Sequence, residues 1–540
     1  MIDRDIHLAR ALLVESNNML RSVVAGQLKD IGVGQVSNCS RARDARLMLE
    51  RERFDIVLCS RELDGSDMSG QDLLDELRRE NLLPPSTVFI MVASQATYAQ
   101  VVEAAESALD GFITRPCTTA VLAERLLEAR QRKRALGDIL KAIDAGELEA
   151  AFVRALKRFQ ERAPYGVWCG RLAAELLLRL ERPADALKVF GKLHELKPAA
   201  WAQLGIARAH IAANDLPAAR RTTAEVLAQE PRNADAHDLM GRLLVDLCDF
   251  EAALQHYREA AELTPGCLLR AQHAGALAFY RGEAKEALAH LERAMSIGAQ
   301  SKLYDALTWV MAGLLHLDAG DAGGVRAMRE QLSRFRQKFP ESRRLARLDA
   351  ACGVLSLLAG GDAVQALEAL RECSMQAGQD DFDLESANVL LALWSRLPAQ
   401  VLPQGPFEEL VEQLAMRFAT SKSIGEALVA SARQNEAAAA VVRRCQARIS
   451  ATTQRAMELS LSGQPAQAVD ELLASGASAR NAKLLEMAGL IARRQQAALA
   501  DGGERERRAT DLLRQHCATV NHIAGIQRTG RSPGGLQVRA

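Results

Sequence analysis

Aromatic side chains are scarce in this sequence, at 4% of 540 residues, although 48% of the residues are hydrophobic. Helices built from small and straight-chain residues suit this composition better than β-sandwiches do. An excess of one charge is also missing, because Lys+Arg and Asp+Glu both number 68. A dedicated nucleic-acid-binding protein normally carries a basic excess, so that class of function is disfavoured. We interpret one short basic run, ARQRKR at 129–134, as a solvated helix face.

Cysteine pairs and long apolar runs are absent as well. None of the ten cysteines forms a CxxC motif, which argues against a zinc site or a disulfide framework and favours free thiols in a reducing compartment. No apolar run approaches the roughly 18 residues that a membrane span needs, and the opening MIDRDIHLAR is unlike a secretory signal. We therefore expect a cytoplasmic protein with no membrane insertion, no metal and no cofactor.

The length of the chain exceeds what one hydrophobic core can use, so several domains or a repeat array are expected. Residues 9 to about 130 alternate short apolar runs with amphipathic segments. The apolar runs are 11–14, 33–40, 54–60, 87–94 and 111–116. Five strands alternating with five helices predict a doubly wound parallel sheet, with sites at the carboxyl ends of the strands.

The order of these elements resembles the receiver domain of bacterial two-component response regulators. LLVESNNMLRS is similar to the opening strand with its acidic pair, and FDIVLCSRELDG to the phosphoacceptor strand and its loop. VFIMVAS and FITRPC are similar to the strands that carry a threonine and a lysine–proline pair. The resemblance implies a flavodoxin-like α/β fold with five parallel strands over residues 1–130.

The resemblance also implies a site made of an acidic pair that holds Mg²⁺, an acceptor aspartate, a hydroxyl group and a lysine. The corresponding residues here are Glu15 and Ser16, Ser60, Ala93 (or Ser94, if the alignment slips by one) and Arg115. Phosphoryl transfer depends on positioning and on charge neutralisation, and Mg²⁺ requires oxygen ligands that include carboxylates. We therefore predict a pseudo-receiver that is inert in phosphotransfer.

Other interpretations of this site remain open. Ser60 could be phosphorylated by a dedicated kinase, and Asp64 or Asp67 could act as displaced acceptors, although both fit a turn. If the pocket binds no metal, Glu15 and Arg115 are its opposite charges. We predict that they contact each other, with Ser60 hydrogen-bonded nearby.

From about residue 135 the strand pattern ends and alanines recur every 33 to 35 residues. They are Ala151, Ala186, Ala219, Ala253 and Ala287. This period resembles the tetratricopeptide repeat, which implies an all-α solenoid of helix pairs. We predict that Phe190, Tyr257 and Leu291 are core residues. Gly241 and Gly275 are expected where the two helices of a pair approach closely.

The predicted organisation divides the helical part into several regions. Well-formed repeats occupy 131–300 and degenerate repeats 301–396, and a proline-rich break at Leu397–Phe407 precedes a helical region at 407–500. The Gly- and Arg-rich residues 518–540 are expected to be disordered. The segment that joins the receiver to the repeats contains one glycine and no proline, so we predict that no flexible linker separates them.

Such arrays bind partner proteins on a concave surface formed by the first helix of each pair. We expect the partner-binding groove to contain Trp168, Arg171, Glu175, Arg179, Trp201, Arg208, Asp238, Arg242, Asp246, Phe279 and Tyr280. The Lys/Asn set that clamps a C-terminal carboxylate in several tetratricopeptide domains is absent. Arginine and aromatic side chains are typical of protein interfaces.

These features favour a non-enzymatic signalling adaptor that contacts protein partners through the repeat groove and the receiver face. The alternative is a functional phosphorelay response regulator with an unorthodox phosphorylation site and the repeats as its output. Nucleic-acid binding is disfavoured by the neutral charge. An enzyme within the repeats is disfavoured because no His/Asp/Glu/Cys cluster appears at catalytic or metal-ligand spacing.

Overall fold

The computed structural model describes residues 3, 5–63, 69–79, 82–95, 109–298, 304–499, 501–517 and 523. Its first part contains five parallel strands in the order β2-β1-β3-β4-β5. The strands are β1 Arg10–Val14, β2 Gln35–Cys39, β3 Ile56–Ser60, β4 Val88–Ala93 and β5 Gly111–Thr114. The predicted doubly wound parallel sheet is confirmed.

Both faces of this sheet are covered by helices. The helices are α1 Asn18–Asp30, α2 Ala42–Arg51, α3 Gly70–Arg79 and α4 Thr119–Ala135. Alternate residues of β1 point to opposite faces, so that Leu12 joins a core with α2 and α3 whereas Leu13 joins a core with α1 and α4. Because β1, β3 and β4 are covered on both sides, their sequences are nearly continuous apolar runs. The predicted helix at 98–108 lies outside the described residues, as do Asp64 and Asp67.

Helix pairs follow directly after the sheet. They are α5 and α6 (Gly137–Asp144, Leu148–Gln160), α7 and α8 (Gly166–Arg179, Pro183–Leu196), α9 and α10 (Ala200–Ala212, Leu216–Gln229), α11 and α12 (Ala234–Asp246, Phe250–Leu263), and α13 and α14 (Leu268–Arg281, Ala284–Gly298). The five alanines of the repeat period all lie in the second helices of these pairs and are fully buried. The solenoid predicted from the period is therefore present.

Close approach of consecutive helices depends on a small residue facing a large one. A Cβ atom on Gly205 would lie 2.4 Å from the Phe190 ring, and one on Gly241 would lie 2.9 Å from the Tyr257 ring. At Gly275 the facing side chain is Leu291, at 2.8 Å. Phe190, Tyr257 and Leu291 are buried, so these core predictions are confirmed. A methyl group at any of these glycines would force the two helices apart.

Further helices continue to residue 516. They are α15 Leu307–Asp318, α16 Ala322–Arg336, α17 Arg343–Ala359, α18 Ala363–Met375, α19 Leu384–Trp394, α20 Gln404–Phe418, α21 Lys422–Ser431, α22 Glu436–Leu461, α23 Pro465–Ala479, α24 Ala482–Arg494 and α25 Gly502–His516. None of the helices within the described ranges is long and apolar enough to cross a bilayer. The predicted division of the helical part at residues 300 and 396 stays a prediction. The tail 518–540 lies outside the described residues, except for Ile523.

The proline-rich segment is a packed turn. The rings of Trp394 and Phe407, which lie at its two ends, stack with centroids 5.4 Å apart and planes 9° from parallel. Both side chains belong to one apolar core that continues from the well-formed repeats to α25. The segment therefore connects α19 to α20 within a single solenoid.

The receiver joins the repeats without a linker, as predicted. Only Leu136 lies between α4 and α5. The Arg158 guanidinium of α6 donates a hydrogen bond to the Ala135 carbonyl and lies 2.8 Å from an Asp138 carboxylate oxygen. The junction is therefore held by contacts on both sides of Leu136.

The interpretation of residues 129–134 as a solvated helix face is wrong. Arg130 forms an ion pair with Asp3 at 2.7 Å, and Arg132 forms one with Asp110 at 3.0 Å. The Arg132 guanidinium also lies over the Trp168 ring of α7, 4.5 Å from its centroid. The run is basic because buried acidic side chains of the receiver require partners.

We expect the Arg132→Ala substitution to weaken the junction by about 1 kcal/mol or more, because it removes a cation–π contact and part of a buried charge pair. Limited proteolysis of the full chain should then cleave faster between α4 and α7. Arg125→Ala is the matched control, because Arg125 is exposed and its nearest carboxylate oxygen, on Glu128, is 3.9 Å away. Equal cleavage rates in the two variants would show that Arg132 does not hold the junction.

Candidate functional site

Four strand ends meet at the carboxyl edge of the sheet. Glu15 follows β1, Ser60 ends β3, Ala93 ends β4 and Arg115 follows β5. The strands are parallel, and Ser60 is aligned with Val92 while Ala93 is aligned with Thr114. Parallel register therefore brings residues that are distant in sequence into one pocket.

An ion pair between Arg115 and Glu15 fills the pocket. Arg115 Nη2 donates to Glu15 Oε2 and lies 3.3 Å from Ser60 Oγ. The Glu15 side chain is 2% exposed and the Arg115 side chain 14%. The predicted contact between Arg115 and Glu15, with Ser60 nearby, is confirmed.

The second oxygen of Glu15 is engaged as well. Oε1 accepts a hydrogen bond of 2.9 Å from the Asn17 backbone N–H, and the Glu15 carbonyl accepts one of 2.6 Å from Arg21 Nη1. The Asn17 side chain in turn caps the first turn of α1. These bonds hold the Glu15 carboxylate in one orientation.

The donor set does not fit the Mg²⁺ ion that the receiver family implies. Both Glu15 oxygens have hydrogen-bond donors, Ser16 replaces the second acid, and the acceptor position carries a hydroxyl group. No cluster of three or more His, Cys, Asp or Glu side chains suited to a metal exists in the part of the chain that the structure describes. A cationic guanidinium beside Glu15 also opposes the binding of a divalent cation.

Ser60 is buried at the end of β3. The residue is 2% exposed, and a Cβ atom on Gly70 would lie 2.2 Å from the Ser60 carbonyl oxygen. Burial raises the pKa of the neighbouring Cys59 thiol far above its usual value, so this thiol stays neutral. Among the described residues, the hydrogen-bond partner of the Ser60 hydroxyl is a cation, which cannot act as a general base.

The pocket lacks the hydroxyl group that the receiver pattern places at the end of β4. Ala93 is fully buried and offers only a methyl group. Ser94, the residue considered as an alternative, is exposed, and its backbone N–H lies 3.4 Å from Glu62 Oε2. The pocket therefore departs from the receiver pattern at every strand end.

Several residues expected in the repeat groove form buried charge pairs. Arg208 of α9 makes a two-pronged contact with Glu175 of α7, at 2.6 and 2.9 Å. Asp238 of α11 lies 2.7 Å from Arg270 of α13, which also contacts Asp235 at 3.1 Å. Arg208 and Glu175 are both buried, so their prediction as open groove residues is wrong. These pairs hold neighbouring first helices together.

Two tryptophans of the expected groove are half-buried beneath arginines. Trp168 lies under Arg132, as described above, and Trp201 of α9 lies under Arg171 of α7, with the guanidinium carbon 4.5 Å from the ring centroid. The first stacked pair joins α4 to α7, and the second joins α7 to α9. Arg179 is exposed, and Arg242 and Asp246 are partly exposed. A partner-binding role for these residues stays a prediction.

Phe279 and Tyr280 do not face an open groove, and that prediction is wrong. They are 3% and 4% exposed because the end of α21 packs over them. Arg433 donates a hydrogen bond of 2.5 Å to the Phe279 carbonyl, and its guanidinium lies 5.1 Å from the Phe279 ring centroid. Burial raises the pKa of the Tyr280 hydroxyl well above its usual value.

Arg132 and Arg433 are important residues that the sequence did not single out. Arg132 belongs to the basic run that ends two residues before Leu136, and the position of that run beside the junction is the signal that could have found it. Arg433 offers no local signal, because 154 residues separate it from Phe279.

Comparisons with known proteins agree with this architecture. A family model described as response regulator receiver domain matches residues 11–127, and one described as tetratricopeptide repeat matches residues 177–243. Chemotaxis protein CheY-3 of Vibrio cholerae is 31% identical over 117 residues, which are 22% of this chain and 88% of that protein. Chemotaxis protein CheY of Pseudomonas aeruginosa is 28% identical over 123 residues, which are 23% of this chain and 97% of that protein.

Among solved structures, the signal receiver domain of a putative Luxo repressor protein from Vibrio parahaemolyticus is 21% identical. That alignment covers 24% of this chain and 93% of the other chain, with a TM-score of 0.22.

We expect the Arg115→Ala substitution to destabilise the receiver by about 3 kcal/mol, because it leaves the Glu15 carboxylate buried without its counter-charge. Calorimetry of the full chain should show the loss. The paired variant Glu15→Leu with Arg115→Met is the control, since it removes both charges and should retain most of the stability. A larger loss in the paired variant than in Arg115→Ala would contradict this assignment.

Replacing Arg433 with alanine should loosen the contact between α13 and α21. Hydrogen–deuterium exchange should then quicken at Leu268–Arg281, because the substitution removes a hydrogen bond and a cation–π contact together worth about 1–3 kcal/mol. Arg443→Ala is the control, because Arg443 and its partner Glu436 are both exposed. Unchanged exchange in α13 would show that Arg433 does not maintain the contact between α13 and α21.

Proposed function

Through residues 11–127 the chain belongs to the response regulator receiver family, and we propose that it is a non-enzymatic adaptor of two-component signalling. Its receiver does not accept phosphate, and its repeats bind a protein partner. The receiver and the repeats together indicate signalling with a protein-interaction region. That the receiver does not accept phosphate and that the repeats bind a partner are our proposals.

The buried contact between Arg115 and Glu15 is the observation that carries this proposal. Phosphorylation of a receiver needs a metal between the acidic pair and the acceptor, and here a guanidinium occupies the carboxylate. Ser60 offers a neutral hydroxyl bonded to the same guanidinium. The charges in the pocket are thus balanced without a metal ion or a phosphate group. This balance supports a receiver that has a single state.

The repeats transmit the signal by contacting a partner protein. Half-buried tryptophans and arginines on α7 and α9 are the residue types that dominate protein interfaces. The ten cysteines are all free thiols, which supports a reducing compartment such as the cytoplasm. The signal would then depend on whether the partner is bound.

Acetyl phosphate with Mg²⁺ tests the receiver. We expect the intact mass of the chain to stay unchanged, because no acceptor carboxylate or complete metal site is available. A variant with Ser16→Asp, Ser60→Asp and Arg115→Lys is the positive control, and it should gain the mass of one phosphoryl group. Ser60→Asp alone should not gain it, because Ser16 still withholds a metal ligand.

A phosphoryl adduct on the native chain would overturn the adaptor proposal. It would favour a phosphorelay response regulator with an unorthodox site. Peptide mapping would then locate the modified residue, with Ser60, Asp64 and Asp67 as the residues to compare.

A further inference from the structure

A surface groove of about 400 Å³ lies between α22 and α24, near the carboxyl-terminal end of the solenoid. Six residues of α22, between Ser450 and Leu461, form one wall, and Lys483 of α24 lies on the other. Helix α23 connects these two helices in sequence and packs against both. We use the name α22 groove for this site, which none of the contacts described above involves.

The α22 wall of the groove carries exposed apolar side chains. Leu461, the last residue of α22, is 84% exposed, which makes it the most exposed large hydrophobic residue in the described part of the chain. Met457, which precedes it by four residues, is also exposed, and side chains at this spacing are neighbours on a helix. The two side chains therefore form one apolar projection beside the groove, and its burial would favour association with another protein surface.

The exposed positions on this wall have the spacing of a coiled-coil seam. Ser450, Gln454, Met457 and Leu461 are separated by steps of four, three and four residues, and all four are exposed. This spacing places them on one stripe of α22, as in the seams through which one helix packs on another. The opposite face of α22, which includes Ile449, is buried in the solenoid core. The stripe therefore suits a second helix.

The residues that line the groove include one anion and one cation, on opposite walls. Glu458 of α22 accepts a hydrogen bond of 2.9 Å from Gln454, and Lys483 lies on α24. Within the described residues, neither Glu458 nor Lys483 forms an ion pair. All the other charged side chains of α22 are paired; the pairs are Arg443 with Glu436, Arg444 with Glu408, Arg448 with Glu412 and Arg455 with Glu471.

A groove with one unpaired charge of each sign is complementary to itself. A two-fold axis places the same patch of two copies together, so that each residue of one copy contacts the matching residue of the other in both directions. Glu458 of each copy can then meet Lys483 of the other. A partner surface with an excess of one charge would leave one of these two groups unmatched, which favours a second copy of this chain over a strongly acidic or basic protein.

We propose that the α22 groove is a self-association surface, in which α22 of a second copy of this chain packs along the exposed stripe of the first. Met457 and Leu461 of each copy lie in the groove of the other, and two symmetric ion pairs join Glu458 to Lys483 across the interface. This inference goes beyond the proposed function and does not depend on whether the receiver accepts phosphate.

Sedimentation equilibrium of the full chain tests the proposal. The stripe is about 16 Å long, so the interface is small and the measurement should extend to chain concentrations of about 100 μM. We expect the mass to rise from that of one chain to that of two. Leu461→Asp should raise the dissociation constant at least tenfold, because it places a carboxylate in the apolar contact. Circular dichroism should show unchanged helicity, since Leu461 is exposed in the single chain.

Charge reversal tests the two-fold arrangement. Glu458→Lys and Lys483→Glu should each weaken self-association at low salt by at least about threefold, because like charges then face each other. A mixture of these two single variants should associate as well as the native chain, since every charge in the mixed dimer again meets its opposite.

The matched control is Met375→Asp, a substitution at an equally accessible methionine of α18, which is 76% exposed and outside the groove. Its dissociation constant should equal that of the native chain. A native chain that stays monomeric at every concentration would overturn the proposal in favour of a helix from another protein. Equal weakening by Leu461→Asp and Met375→Asp, or a mixture of the charge variants that associates no better than either alone, would also overturn it.

Discussion

The cost of burying an arginine controls how the parts of this protein join. A guanidinium cannot lose its proton, so a buried one requires carboxylates or carbonyl oxygens around it. Arg115 meets Glu15 in the receiver, Arg132 meets Asp110 at the junction, and Arg270 meets Asp235 and Asp238 in the repeats. Arg433 meets the Phe279 carbonyl of α13 instead. Each of these contacts joins two different elements, so together they determine which elements are neighbours.

The same requirement determines the charge balance of the receiver pocket. A pocket with two acids needs a metal ion to balance them, and the binding of that ion can be coupled to phosphate. A pocket with one acid and one arginine is balanced already. The interaction that stabilises the sheet edge thus removes the charge imbalance on which a phosphorylation switch depends.

In the repeats, close packing and charge pairing have separate roles. Gly241 against Tyr257 and Gly275 against Leu291 set the spacing inside a pair, whereas Arg208 with Glu175 sets the contact between pairs. Where α21 returns to α13, both kinds of contact combine, and a Cβ atom on Gly282 would lie 2.7 Å from an Arg433 guanidinium nitrogen.

Local patterns in the sequence were enough to predict the parallel sheet and the helix pairs, and the resemblance to receiver domains added the contact of Arg115 with Glu15. Strand ends of a parallel sheet lie at one edge, and a repeat places equivalent residues in equivalent environments, so both follow from position along the chain. The absence of a flexible linker between α4 and α5 likewise follows from a segment that contains no proline and a single glycine, Gly137. Only the tertiary structure decided that Phe279 and Tyr280 are buried and that the run at 129–134 is paired. Those outcomes depend on contacts with α21, Asp3 and Asp110, up to 154 residues away. A local pattern carries no information about which distant part of the chain will pack against it.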